Sequence, residues 1–270
     1  MRAALAYEWT RIRTIRSTWW LTGITVVIGL LIAFGVSWGT AVEVSQHPTG
    51  GIDDVRLLGP LVVTQGAAAG VPCLIGFVLA MIGIFAWGHE YRHGMIRASL
   101  TALNSRGSLW VAKYAVTGAW VAVVGFAVML VAGGIGWLFL HEYSVPVFTG
   151  RTWAVMGREL VYLVVLAWLA MAFTALTRSQ AFALVMIFLW PLLVESLITA
   201  ILTLVPGLRD HADLARFLPF QAGSRIMDVA QQSHSIFGHP VSALGGFLVF
   251  GGLGAVLMAC SWVLLHRRDA

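Results

Sequence analysis

The sequence predicts an all-α polytopic membrane protein with six transmembrane helices, and three observations carry that prediction. Of 270 residues, 59% are hydrophobic and 11% charged, with mean hydropathy +0.85, whereas a soluble domain carries about 25% charged residues. Six apolar runs, near 19–41, 61–87, 109–140, 153–177, 181–204 and 241–265, each reach the ~20 residues that cross a bilayer. Backbone groups cannot stay unpaired in lipid, so runs of this length must be helices. Finally, the basic residues are unevenly divided between alternate connections. With the N-terminus inside, the inner segments hold eleven arginines and lysines against six outside. That bias puts both termini in the cytoplasm.

Residues 1–18 read as an N-terminal interfacial helix. Leu5, Trp9, Ile12 and Ile15 recur at helical spacing, with Glu8 and Arg11 off that stripe and Arg13 beyond. An ordinary basic flank before a span is the plainer alternative. The run Trp19 to Ala41 follows a basic start, as in a signal peptide. It is longer than the usual ~7–15-residue apolar core and no A-x-A site follows, so a retained first span is expected. Runs 61–87 and 109–140 are long enough to tilt or to extend past the bilayer.

The connections are unequal. Outer loops are expected near 42–59 and 141–152. Inside, Arg178-Ser179-Gln180 is barely a turn, whereas the elbow 88–108 is long enough for a short cytoplasmic helix. The stretch 205–240 is too apolar for a solvated loop, with Leu214, Phe217, Leu218 and Phe220, yet it is broken by Pro206, Pro219 and Pro240. Short helices re-entering the outer leaflet fit that pattern. The chain reads as one transmembrane domain over 1–270, without repeats or low-complexity tracts. Net charge +5 is spread among the spans, so it reports topology rather than nucleic-acid binding. Cys73 and Cys260 both lie in apolar runs and read as small hydrophobes.

The elbow holds the chemistry-bearing residues. His89-Glu90-Tyr91-Arg92-His93 matches H-E-x-x-H, which on a helix places two imidazoles on one face with the carboxylate as general base. An intramembrane zinc protease is therefore a competing reading. Gly94 follows at once, and the buried carboxylate that might complete the site, Glu195, falls across the bilayer. The preferred reading is a docking elbow in which Glu90, Tyr91, Arg92, Gly94, Arg97 and Arg106 meet a partner. A noncatalytic scaffold or sensor could use the same elbow. A Walker A loop needs Gly-Lys-Ser/Thr, but the sole lysine, Lys113, stands between Ala112 and Tyr114. Any ATP hydrolysis is expected in another polypeptide.

Glu195 reads as the one carboxylate well inside a span, with Pro191 one turn earlier freeing a carbonyl. It is either a structural hydrogen-bonding group or part of a translocation path. Gly66-Ala67-Ala68-Ala69-Gly70 and the glycines of spans three and six suggest close helix packing.

These residues together suggest a family. The segment Glu8 to Ser17 before span one resembles the N-terminal helix of ABC-2-type permeases of ATP-binding-cassette exporters. Glu90 to Arg97, followed by Arg106-Gly107 and Lys113, resembles their loop between spans two and three, with Asn104-Ser105-Arg106 in place of Pro-x-Arg. The resemblance implies a half-transporter in the bacterial cytoplasmic membrane with no cofactor of its own. Two permease copies, identical or paralogous, would join two ABC ATPase subunits that bind ATP and Mg. It selects no substrate among drugs, antibiotics, peptides, lipids and polysaccharides.

Overall fold

The computed structural model describes residues 1–46, 55–66, 73–95, 105–227 and 241–267. Among them there is no strand. Six helices are long and apolar enough to cross a membrane: Arg16–Gln46, Leu74–Arg92, Arg106–Tyr143, Gly150–Thr177, Gln180–Leu204 and Ala243–Arg267. The chain is a multi-pass membrane protein. Its surface is correspondingly inverted, with Trp20 73%, Leu31 67% and Leu244 72% exposed.

Helix α1 (Arg2–Thr14) is separate from α2 (Arg16–Gln46), because Ile15 turns extended at φ −76°, ψ 120°. On α2 the inward residues are Thr18, Leu21, Thr25, Gly29, Ala33, Ser37 and Thr40. That narrow seam of small side chains lets the backbone approach its neighbours closely.

The expected span 61–87 is not one helix. Helix α3 (Leu58–Val63) stops where Gln65 (φ 55°) and Gly66 (φ 83°) turn left-handed. The Gly66 N–H donates to Leu61 O (2.9 Å) and the Gln65 N–H to Val62 O (3.1 Å). This pair of hydrogen bonds closes helix ends on a left-handed residue. The run Gly66 to Gly70 therefore starts in a turn, and its residues 67–70 lie outside the described set. The span proper is α4 (Leu74–Arg92), which carries the helix on past the expected boundary. Gly94, at φ 64°, ends it the same way, with the Met95 N–H on Glu90 O (2.9 Å).

Helix α5 (Arg106–Leu140) opens on the Ser105 cap, whose hydroxyl accepts from the Ser108 N–H. Helix α6 (Gly150–Thr177) opens on a Thr149/Thr152 capping box. It turns into α7 (Gln180–Leu189) through left-handed Arg178 and the Ser179 cap. A π-helical stretch, Trp190–Glu195, separates α7 from α8 (Ser196–Leu204), as expected where Pro191 removes a backbone donor. Of the expected re-entrant segment 205–240, residues to 227 are described: a 3₁₀ stretch Pro206–Phe217, the short α9 (Pro219–Ser224) and a 3₁₀ turn Arg225–Met227. Within it Phe220, Ala222, Gly223 and Ile226 are buried, whereas Leu214 and Phe217 are exposed. Helix α10 (Ala243–Arg267) closes the bundle. Helices α4 and α6 are the most buried spans, and α2, α7–α8 and α10 lie around them.

Candidate functional site

The residues that sequence reasoning scattered between an interfacial helix and an elbow converge on one lysine. Lys113, fully buried on α5, donates to Glu8 Oε1 of α1 (2.8 Å), Glu90 Oε1 of α4 (2.5 Å) and the Ala86 carbonyl (3.2 Å). Its ammonium also stands 5.0 Å from the Trp87 ring centroid, within cation–π range. Arg11 Nε completes the set on Glu8 Oε2 at 2.6 Å. Two carboxylates and two cations thus form a neutral cluster. Buried charges are tolerated only when paired and hydrogen-bonded.

This arrangement adds to two expectations. Of the apolar stripe Leu5, Trp9, Ile12 and Ile15, only Ile12 is among the residues α1 buries, which are Ala4, Glu8 and Ile12. Glu8 faces inward because Lys113 waits there, and Trp9 remains 45% exposed with its ring against Trp120 at 5.9 Å. Glu90, expected on a docking surface, is 4% exposed and belongs to the interior.

The rest of the elbow divides. Arg92, His93, Gly94 and Met95 are exposed at the end of α4. Tyr91 stacks on Trp87 and lies under the Arg178 guanidinium at 5.6 Å. Arg106 Nη1 donates to Leu265 O (3.1 Å) and His266 O (3.2 Å), holding the C-terminus of α10, where a cation is favoured by the helix dipole. Arg13 sits over the Trp9 ring at 5.7 Å. Arg97 lies outside the described residues.

The H-E-x-x-H letters do put His89 and His93 on one face, their rings stacked 6.3 Å apart. His89 Nε2 pairs with Ser17 Oγ at 3.3 Å. The Glu90 carboxylate points elsewhere, into the Lys113 cluster. Among the described residues, no third His, Cys, Asp or Glu joins the two imidazoles.

Toward the other end of the bundle, Glu195 is fully buried. Its Oε1 accepts the Phe220 N–H and its Oε2 the Gln221 N–H, both at 2.9 Å. Gln221 Nε2 then donates to Thr199 Oγ1 (2.7 Å), whose hydroxyl donates to Glu195 O (2.8 Å). The carboxylate staples the first turn of α9 to the fifth span.

Glu195 was expected to be the one carboxylate well inside a span, and it is not. Glu159 on α6 is also fully buried, and Cys73 Sγ donates to its Oε1 at 3.5 Å. Cys73 is therefore a polar partner rather than a plain hydrophobe, and Cys260 is exposed. Glu159 was missed because Arg158-Glu159 near the head of a run reads as a charged flank. Its helical offset from Thr152 and Val155, both inward, was the available signal.

Chemically, the Lys113 cluster is a linkage. It ties α1 to the ends of two spans, with its lysine and both carboxylates buried. No family model matches the chain, and no curated protein does.

Proposed function

We propose that the chain is the membrane permease subunit of an ABC exporter of the ABC-2 type, coupled to a separate ATPase. The observation that carries this reading is the Lys113 node. It joins α1, the end of α4 and the start of α5, so a push on the exposed residues after Glu90 reaches three helices at once. Closure of two ATPase subunits would press Arg92, Met95 and the following residues, the coupling helix of this reading. Spans two and three would then tilt together with α1 along the membrane surface. A path at the seam of two permease copies would alternate between inward and outward access. The eleven-to-six basic bias supports cytoplasmic termini, and the bacterial cytoplasmic membrane is the location that fits. The zinc protease has the two imidazoles on one face but not the carboxylate beside them, since Glu90 is held by Lys113.

Purification of the tagged chain from its native host tests the reading. A Walker A ATPase should copurify, and Arg92→Glu, on the exposed side of the elbow, should lose it while leaving the chain inserted. Absence of any such ATPase, or its retention by Arg92→Glu together with Met95→Glu, overturns the proposal. One zinc per chain, lost in His93→Ala, would favour the protease instead.

A further inference from the structure

We propose that the groove between α5, α6 and α10 holds one acyl chain of an anionic phospholipid, with its phosphate against the basic end of α10. The groove has a volume of about 540 Å³ and is lined by Trp110 of α5, Trp168 of α6, and Phe247, Gly251, Gly254 and Trp262 of α10. From Phe247 to Trp262 it follows fifteen residue steps of α10, or about 22 Å along the axis. That is most of the ~30 Å hydrocarbon thickness.

Its walls are carbon for a structural reason. Trp110 Nε1 is turned away to Ser261 Oγ (3.1 Å), and Trp168 Nε1 to the Tyr114 carbonyl (2.9 Å). Those two donors are satisfied within the protein, so these tryptophans offer the groove ring faces and water finds no partner on them. The two glycines provide the depth. A Cβ on Gly251 or Gly254 would approach nothing closer than 3.5 Å. A helix about 10 Å across and 22 Å long fills roughly 1,700 Å³, about three times the cavity, so a chain narrower than a helix is the fitting occupant.

Charge selects the head group. Arg106 reaches the last turn of α10, which carries His266 and Arg267, and neither α5 nor α10 carries an acidic residue. Arg267 is exposed at the helix terminus. Trp110 and Trp262, edge to face at 5.2 Å, lie between the hydrocarbon-lined part and the charge, the depth at which tryptophan meets head groups. This inference does not depend on the transporter reading.

Native mass spectrometry of the full chain, after exchange into equal phosphatidylglycerol and phosphatidylcholine of matched chains, tests it. One phosphatidylglycerol should be retained, at least tenfold over phosphatidylcholine. Gly251→Leu with Gly254→Leu should fill the groove and lose that lipid, and Arg267→Gln should keep a lipid but lose the head-group preference. Equal retention of the two lipids, or wild-type retention by the double leucine variant, overturns the proposal. A phosphatidylglycerol carrying a photoreactive acyl chain gives a test on the unaltered protein. Crosslinks should fall between Phe247 and Trp262, and crosslinks confined to other helices refute the site.

Discussion

Replacing Glu195 separates a staple from a transport group, and the geometry sets the size of the effect. Both carboxylate oxygens accept a backbone N–H, from Phe220 and Gln221. Glu195→Ala leaves both donors without that partner in a buried site. An orphaned donor costs about 1–3 kcal/mol, and membrane hydrogen bonds lie toward the low side because the unfolded state also finds partners. About 2–4 kcal/mol is therefore expected for Ala. Glu195→Gln presents one oxygen and one NH₂, and the NH₂ cannot accept, so about half that loss is expected. At roughly 2–4 °C per kcal/mol for a chain of this size, the midpoint should fall by about 4–16 °C for Ala and about half as much for Gln. The assay is thermal unfolding of the detergent-purified protein at a fixed scan rate, with limited proteolysis of 206–227 as a local readout. Wild-type midpoints in both variants, or a Gln loss as large as the Ala loss, would refute the staple.

Lys113→Met should be the most damaging conservative-sized change, at about 3–5 kcal/mol, because it strands buried carboxylates. Adding Glu90→Gln should recover more than half of that in a denaturation midpoint, and a double variant weaker than the single would contradict the cluster. Gly83→Ala should cost about 1–3 kcal/mol by overpacking, since its Cβ would sit 2.5 Å from the Ala167 carbonyl oxygen. Gly252→Ala, with nothing within 4 Å, should be neutral or slightly stabilising in the same melt.

Hydrophobicity made the spans legible, and it failed where a side chain's neighbour mattered more than its own polarity. The helices Gly150–Thr177 and Gln180–Leu204 lie within a few residues of their expected bounds, because Thr149, Arg178 and Ser179 are local stop and start signals. The head of span two was not legible. Leu61 to Val63 is as apolar as any span, and the break rests on Gln65 in a left-handed conformation that glycine usually takes. Glu8 pointed outward by periodicity because an amphipathic pattern counts charge as solvent-seeking. Only the fold brings Lys113, over a hundred positions away, to face it. The role of Glu195 was left between two readings. Its partners are backbone N–H groups of Phe220 and Gln221, which no side-chain pattern can announce.

The wide turn at Trp190–Glu195 gives the fifth span two separately aimed halves. A residue accommodated in a π stretch sets everything after it back by about 100° relative to an unbroken α-helix. Upstream, Ala183 and Ile187 face the bundle; Glu195 at the end of the stretch and Thr199 beyond it do too, while Leu192, Leu193 and Leu197 look out at 52–61% exposure. Wound as an unbroken α-helix, the same residues would carry the Glu195 carboxylate about 100° further round, off α9, whereas removing one residue of the stretch would leave it in phase. The extra residue works as a phase setter: it lets one half answer to α4 and α6, and the other to the segment folded back against it.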